Sequence, residues 1–426
     1  MRISHRFLSD RSGNFGMLTA ILMVPLIGAG GLAIDFTHAL SIRRQLQGAA
    51  DAAAVGAVAQ TSVAVDAAMT MTGNGSITVG KMDARNIFFS QMSGEIGNLP
   101  VDLNVDVTKN AKTLNSLVSF NATVSTTFMQ ILGQNSITIS GTATAEYQTA
   151  SFMDFYILLD NTPSMGVGAT ADDVSKLQAK TGCAFACHQM DQASNNYTIA
   201  KSIGVNMRID VVRQATQALT DTAKTERVSS DQFRMGVYTF GTKAEDAKLT
   251  TISNLTSNLT QVKTYTDAVD LMTIPYQNYN SDQLTSFDSA LTQMNTIVEP
   301  AGSGASNTDR QKILFFVSDG VADAYKPASC TKKTTGGRCQ EPIDTSFCKP
   351  LKDRGVKIAI LYTTYLPLPS NDWYNSWIKP FQSEIPTRMS ACASPGLYFE
   401  VSPTEGISAA MKALFLKTIS SPRITS

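Results

Sequence analysis

The sequence is poor in charged residues and in histidine. Charged side chains make up 16% of its 426 residues, with Lys+Arg and Asp+Glu equal at 35 each. Because no excess of positive charge is present to attract phosphate groups, no nucleic-acid partner is predicted. The three histidines are His5, His38 and His188, and the sequence has neither a Gly-x-Ser-x-Gly elbow nor a Gly-Lys-Ser/Thr phosphate loop. We therefore predict that the protein is not an enzyme, and an exported hydrolase using His188 is the least favoured alternative.

Cysteine is absent from the first 180 residues, and all six cysteines lie in the remainder. An even, clustered set is typical of disulfides formed in an oxidising compartment, although the pairing cannot be read from spacing. A metal site built on Cys183, Cys187 and His188 is a less favoured alternative, since no second pair at zinc-ligand spacing accompanies it. The disulfide candidates are Cys183, Cys187, Cys330, Cys339, Cys348 and Cys392.

One long apolar run stands near the N-terminus. Residues 15–34 contain no charged side chain and are long enough, as a helix, to cross a ~30 Å hydrocarbon core. We predict a transmembrane helix over 15–35, preceded by a cytoplasmic leader over 1–14 that carries Arg2, Arg6 and Arg11. The positive leader indicates that the large C-terminal part is exported. A cleaved signal peptide is the main alternative, and a buried core helix is less favoured.

The segment after the span is rich in alanine. Residues 36–75 are predicted as a helix through Gln60 followed by a loop, and residues 76–150 alternate apolar with small polar side chains, as half-buried strands do. A basic leader, an apolar span and an Arg-Arg-Gln-Leu-Gln-x-Ala-Ala-Asp-Ala-Ala-Ala run resemble the N-terminal region of TadE/TadG-like Flp pilus assembly proteins. The resemblance implies that 76–150 form a small pilin-like α+β region.

Strands alternate with helices in the next part of the chain. Apolar runs such as FYILLD, FRMGVYTFG, KILFFVSDG and VKIAILYT are separated by helical stretches such as RIDVVRQATQALTDTAK. Buried strands with helical crossovers predict an α/β domain with a doubly wound, mostly parallel sheet over 152–418, followed by a tail over 419–426. Ligands of such sheets bind at the carboxyl ends of the strands.

Oxygen-bearing side chains occur in three loops predicted at that edge. Asp160, Thr162 and Ser164 follow the first strand, Thr285 precedes a helix, and Asp319 follows the KILFFV strand. Two carboxylates and three hydroxyls suit a hard six-coordinate cation, and we predict bound Mg²⁺, with Mn²⁺ or Ca²⁺ as substitutes. Two negative charges only just neutralise such an ion, which would leave it able to accept a carboxylate from a partner.

These residues resemble the metal-ion-dependent adhesion site (MIDAS) of von Willebrand factor A domains, whose pattern is Asp-x-Ser-x-Ser, a distant Thr and a distant Asp-Gly. Here Thr162 replaces the middle Ser, and TSFDSAL lacks the family's Gly after Thr285. The resemblance implies a von Willebrand A or Rossmann-like fold and cell adhesion through an acidic residue of a protein partner. Two Cys-containing insertions, after Ser164 and after Gly320, are expected to shape the partner surface or to be tolerated excursions.

Together the two resemblances imply a TadG-like component of Flp pilus assembly and tight adherence. It would be a single-pass protein of the bacterial inner membrane, with a cytoplasmic N-terminus and a large periplasmic part, and its partners would be pilus assembly components. A structural scaffold subunit with a vestigial metal site is the alternative.

Overall fold

The computed structural model describes residues 14–246, 248–277, 279–281, 284–365, 367–369, 371–402 and 406–419. The predicted leader, except for Asn14, and the tail beyond residue 419 lie outside the described residues. The chain divides into two compact units, Met1–Thr149 and Ala150–Ser426. Among the described residues, the first unit contains one sheet and the second contains two.

The first unit begins with one long helix, α1 (Asn14–Ala57). Its first part is exposed, and a buried face begins at Gly31 and continues with Asp35, Ala39 and Ile42, which are three or four residues apart as one helix face requires. Within the described residues, α1 is the helix long and apolar enough to cross a membrane. Since only 6% of its apolar window is buried, the structure disfavours the buried core helix alternative.

A four-stranded antiparallel sheet packs beside this helix, in the order β1-β2-β3-β4. The long strands alternate buried and exposed side chains, which confirms the predicted half-buried pattern. The segment 61–75, predicted as a loop, instead contains a helix, because Ala64, Val65 and Ala68 form one buried face. The elements are α2 (Val63–Thr70), β1 (Gly75–Ser76), α3 (Thr78–Ser90), β2 (Val101–Asn110), β3 (Thr113–Ser125) and β4 (Ser136–Gln148).

The second unit is built on a six-stranded sheet of order β13-β12-β8-β5-β6-β7. Five strands are parallel and the edge strand β7 is antiparallel to β6, which confirms the predicted mostly parallel, doubly wound sheet. The strands are β5 (Met153–Leu159), β6 (Phe233–Thr239), β7 (Thr250–Thr256), β8 (Gln311–Ser318), β12 (Lys357–Thr363) and β13 (Tyr398–Val401).

Helices cover both faces of this sheet. Alternate residues of the central strands point to opposite faces, so β5 places Phe155 and Ile157 in one core and Tyr156 and Leu158 in the other. Burial on both faces explains why these strands read as continuous apolar runs. The helices are α4 (Ala171–Thr181), α5 (Asn196–Ser202), α6 (Arg208–Glu226), α7 (Leu259–Tyr265), α8 (Phe287–Ile297), α9 (Lys349–Asp353), α10 (Ile385–Cys392) and α11 (Ile407–Ile419).

Both Cys-containing insertions are ordered. The first carries α4 and α5. The second forms a three-stranded antiparallel sheet of β9 (Val321–Tyr325), β10 (Thr334–Thr335) and β11 (Arg338–Pro342). Two disulfides, Cys330–Cys339 and Cys348–Cys392, lie in or next to this second insertion. The insertions are therefore folded extensions of the domain.

Candidate functional site

Asp160 is the first residue after β5, and its carboxylate is the centre of a hydrogen-bonded cluster. Its Oδ1 accepts the backbone N–H of Thr162 at 3.0 Å and the Thr162 hydroxyl at 2.6 Å. The hydroxyls of Thr162 and Ser164 are 3.2 Å apart. The turn therefore directs the three predicted oxygen donors of the first loop toward one another.

The loop after β8 joins the same cluster. Because β5 and β8 are parallel neighbours, their carboxyl ends meet at one edge of the sheet. The Ser318 hydroxyl donates to Asp160 Oδ2 at 2.6 Å, and the Ser164 hydroxyl is close enough to Asp319 to lower the pKa of that carboxyl group. The structure thus brings Asp160, Thr162, Ser164 and Asp319 together at this edge.

Asn161 holds the first loop in place. Its side-chain N–H groups donate to the carbonyls of Gly241 at 2.7 Å and Asp270 at 3.1 Å, and its Oδ1 accepts the Phe240 N–H at 3.1 Å. These bonds tie the turn to the loop after β6 and to the segment after α7. The sequence motif did not reveal this role of Asn161, although a buried amide next to a candidate ligand is a common positioning device.

Arg208, the first residue of α6, is a second group that the sequence did not reveal. Its Nη1 lies 3.2 Å from Asp319 Oδ2, and the two side chains are 1% and 0% exposed. A cation at a helix N-terminus opposes the helix dipole, so this position costs stability unless another contact compensates. An arginine at the start of a predicted helix therefore indicates a contact with a distant part of the fold.

The two site carboxylates remain incompletely neutralised. Burial raises the pKa of Asp160 to about 7, and the negative charge of Asp319 adds to the rise. Burial also raises the pKa of Asp319, against the opposing charge of Arg208. A bound cation would relieve this electrostatic cost, because charge buried without a partner is unfavourable.

At the opposite end of β5, another buried carboxylate has more cationic neighbours than the pair at the site. The buried carboxylate of Asp154 lies 2.7 Å from both Arg234 and Lys312, and Arg310 approaches to 3.7 Å. One carboxylate there has three cationic neighbours. In the described parts of the chain, Arg208 is the cationic side chain in a salt bridge with the Asp160 and Asp319 pair. When both carboxyl groups of the site are ionised, two negative charges therefore face this one guanidinium.

Thr285 lies in a different loop, at the wall of a cavity that Ser164 also lines. It is buried, and its backbone pairs with that of Asp323 on β9, with Thr285 N donating at 2.7 Å. The neighbouring Ser286 caps α8 by accepting the Ser289 N–H at 3.3 Å.

That cavity, of about 190 Å³, adjoins the oxygen cluster. Both insertions contribute to its wall, since Phe185 comes from the first and Arg338 from the second. Arg338 Nε bonds Asp323 at 2.7 Å while its guanidinium lies 4.8 Å from the ring centre of Trp373. The cavity thus combines an aromatic wall with a charge pair beside the candidate ligands.

Cys183 and Cys187 also line the cavity. They are present as thiols, in contrast to the two disulfides of the second insertion. The Cys187 thiol bonds to Cys183, which also accepts the Phe185 N–H at 3.4 Å. These hydrogen bonds lower the pKa of Cys183 to about 6, and its partner's pKa is raised by the same bond and by burial.

The alternative metal site on these cysteines and His188 gains no support. His188 stacks on Tyr197 with ring centres 4.0 Å apart, and its Nδ1 is 3.3 Å from the Leu271 carbonyl. Within the described residues, the His/Cys/Asp/Glu group with metal-ligand spacing is Cys330, Cys339 and Glu341, and there the two sulfurs are joined as a disulfide.

The donor set fits a hard divalent cation. Carboxylate and hydroxyl oxygens from two strand ends are already linked by hydrogen bonds, and their net charge favours a cation. Arg208 supplies one positive charge to the same carboxylate pair, so the ion would share Asp319 with a guanidinium.

Comparison with known proteins identifies the first segment. Residues 13–60 match the family model for putative Flp pilus-assembly TadE/G-like proteins, so the N-terminal region is TadE/G-like. The match covers the apolar run and the alanine-rich continuation of α1, which confirms the resemblance stated from sequence. No curated protein matches this chain.

Several solved structures are similar at low identity. The vWF domain of the type V pili tip protein Mfa5 from Porphyromonas gingivalis has 10% identity and a TM-score of 0.36, covering 65% of this chain and 99% of that domain. The PilB minor pilin from Streptococcus sanguinis has 11% identity and a TM-score of 0.33, with 76% and 79% covered. Proximal thread matrix protein 1 from the mussel byssus has 14% identity and a TM-score of 0.35, covering 63% of this chain and 46% of the mussel protein. This chain therefore spans less than half the length of the mussel protein.

Proposed function

We propose that this chain is a membrane-anchored component of Flp-type pilus assembly and tight adherence that binds a protein partner through a divalent cation. The TadE/G-like segment supports the pilus context. The observation that carries the proposal is the pair of buried carboxyl groups, Asp160 and Asp319. They lie with the hydroxyls of Thr162, Ser164 and Ser318 at the carboxyl edge of the sheet. Among the described residues, the guanidinium of Arg208 is their salt-bridge partner.

The ion would be held by Asp160, Thr162, Ser164, Thr285 and Asp319. When bound, Mg²⁺ or a similar cation supplies positive charge and a coordination position that a carboxylate from the partner can fill. The chain's own residues prepare for this by positioning oxygens: Ser318 orients Asp160, and Arg208 orients Asp319. Binding of this kind needs no nucleophile and no general base.

The cavity beside Ser164 gives the partner a place to dock. Its aromatic and charged wall comes from both insertions, which supports a role for them in partner selection. Exchanging the insertion after Ser164 for a short loop, while the oxygen cluster is retained, should weaken partner binding but leave cation binding unchanged. Equal partner binding by both proteins would mean that the insertions are tolerated excursions.

The proposed location is the bacterial inner membrane, with α1 as a single-pass anchor, the N-terminus in the cytoplasm and the second unit in the periplasm. The exposed apolar face of α1 supports the anchor, and the two disulfides support an oxidising compartment. Protease protection of the second unit in spheroplasts, before and after lysis of the inner membrane, tests this orientation.

A binding role is favoured over catalysis by the environment of His188. Its ring is engaged in stacking on Tyr197 and in a contact with the Leu271 carbonyl. A hydrolase would instead require it to address a serine hydroxyl. Replacing His188 by Gln should leave pilus assembly unchanged.

The test of the main proposal is Asp160→Asn, which keeps the shape of the side chain and removes its charge. Mn²⁺ binding to the purified full chain and pilus assembly in a complemented deletion strain should both be lost. Asp172→Asn, at an exposed site on α4, is the matched control and should retain both. Loss of Mn²⁺ binding with normal pili would show that pilus assembly does not require the bound cation.

A scaffold subunit without a bound ion is the second candidate, and one observation favours it. The guanidinium of Arg208 already lies 3.2 Å from Asp319 Oδ2 and could act as a permanent counter-ion. This alternative expects no Mn²⁺ binding by the wild-type chain and normal pili with Asp160→Asn.

A further inference from the structure

We propose that the loop between β3 and β4 of the first unit enters the lipid bilayer beside α1, so that the membrane anchor consists of a helix and a loop. The loop comprises residues 126–135. This inference rests on the proposed anchoring of α1 in a membrane and adds a second lipid-binding element to it.

Asp35 fixes the loop to the helix. Its carboxylate accepts the backbone N–H groups of Thr127 at 3.0 Å, Phe128 at 2.8 Å and Met129 at 2.7 Å. Three N–H donors converging on one carboxylate make a strong and directional latch, because bonds to a charged acceptor are stronger than neutral ones. Asp35 is itself buried under the loop.

A glycine one turn earlier permits close contact. A Cβ atom added at Gly31 would lie 2.5 Å from the Phe128 Cβ, a distance that no real side chain could adopt. Gly31 and Asp35 are four residues apart and so lie on one face of α1. The loop therefore packs against the helix at these two positions.

This contact lies at the end of the apolar run. Residues 15–34 carry no charge and span about 30 Å as a helix, the thickness of a hydrocarbon core. The loop meets the helix across the last turn of that run. A bilayer positioned around residues 15–34 consequently has its boundary at the level of the loop.

The side chains of the loop suit a position at the edge of the hydrocarbon core. Ile131 and Leu132 are 82% and 64% exposed, and Phe128 is 38% exposed. Residues 126–135 contain no charged side chain. An exposed apolar cluster next to an exposed apolar helix is unfavourable in water and favourable in lipid. The surface formed by Phe128, Ile131 and Leu132 therefore fits the edge of the hydrocarbon core.

The test uses tryptophan as a depth probe. In the full chain with Trp373→Phe and Trp377→Phe, a single tryptophan is placed at Leu132, and the protein is reconstituted into phosphatidylcholine/phosphatidylglycerol vesicles with or without brominated acyl chains. Bromine should quench Leu132→Trp as strongly as Leu22→Trp in the apolar run. Phe89→Trp is the control, since Phe89 is exposed on α3 but α3 packs near Gly56, about 25 residues and ~37 Å farther along α1.

Each outcome is decisive. Quenching at Leu22 without quenching at Leu132 overturns the loop insertion and keeps the anchor. Absence of quenching at both positions overturns the anchor and the loop insertion together. A blue-shifted Leu132→Trp emission that bromine does not quench means that protein covers the loop, which also overturns lipid contact.

The latch is tested in the same system. Asp35→Ala removes the acceptor of three N–H groups and should abolish the bromine quenching of Leu132→Trp while leaving that of Leu22→Trp. Asp51→Ala, an exposed position farther along α1, is the matched control and should change neither. Undiminished quenching of Leu132→Trp in the Asp35 variant overturns the assigned role of Asp35.

Discussion

Arg208 Nη1 and Asp319 Oδ2 are 3.2 Å apart in a site where both side chains are buried. The contact places a permanent cation against one of two carboxylates that we assign to a divalent ion. Whether the guanidinium assists or replaces the ion determines whether this domain binds through metal. The two cases predict different behaviour of the same variants.

Divalent cations should stabilise the second unit. An ion at 100 times its Kd adds about 2.7 kcal/mol to the free energy of unfolding, which raises Tm by roughly 5–10 °C for a domain of this size. Asp160→Asn should abolish the shift, and thermal unfolding with Mg²⁺ or with EDTA measures it. A variant that retains the full shift would show that the ion binds elsewhere.

Arg208→Met should destabilise the protein in EDTA by about 3–5 kcal/mol, because it leaves the buried Asp319 carboxylate without its partner. If the ion uses Asp319, Mg²⁺ should recover a large part of this loss. Arg213→Met, which removes a half-buried partner of Asp210 on the same helix, is the control and should show no Mg²⁺-dependent recovery. Chemical unfolding with and without Mg²⁺ measures both.

Cys183 and Cys187 should form a third disulfide in protein isolated from an oxidising compartment, because the two thiols are close enough for Cys187 to lower the pKa of Cys183. Peptide mass spectrometry without reduction detects the bridge. A free Cys183 in protein whose other four cysteines are paired would contradict this expectation.

In the reduced protein, Cys183 should react first with iodoacetamide at neutral pH. Its pKa is lowered to about 6, so the reactive thiolate is present above that pH and is lost as the pH falls through it. The pKa of Cys187 is raised, and this thiol should stay protonated. Cys187→Ala removes the hydrogen-bond donor that lowers the pKa of Cys183 and should slow the neutral-pH reaction of Cys183, as alkylation rates across pH will show.

The two existing disulfides should differ in their contribution to stability. Cys348–Cys392 has a sequence separation of 44 and Cys330–Cys339 a separation of 9. Loop-closure entropy assigns about 4 kcal/mol to the longer loop and about 2.5 kcal/mol to the shorter one. Paired Cys→Ala variants of each bridge, compared by urea unfolding, measure the difference. Equal losses would indicate that strain or contacts in the folded state dominate.

The sequence predicted the elements whose signal is local. The apolar run of α1 was predicted from its length and its lack of charge. The strands β5 and β8 were predicted from their continuous apolar sequence, which is typical of central strands of a parallel sheet. The motif residues Asp160 and Asp319 could be assigned to one edge because parallel strands end together. Elements with weaker local patterns were not predicted. The helix α2 lies in a segment predicted as a loop, and the strand β7 was not predicted.

What the sequence by itself determined is the apolar run of α1, the mostly parallel architecture and the positions of the oxygen-bearing side chains at the sheet edge. Only the tertiary structure decided that Arg208 faces Asp319, that Asp35 binds the backbone of a loop more than 90 residues away, and that Cys183 contacts Cys187. The physical reason is that periodicity records which side chains are buried. The partner of a buried charge depends on which distant elements pack together, and no local pattern contains that information.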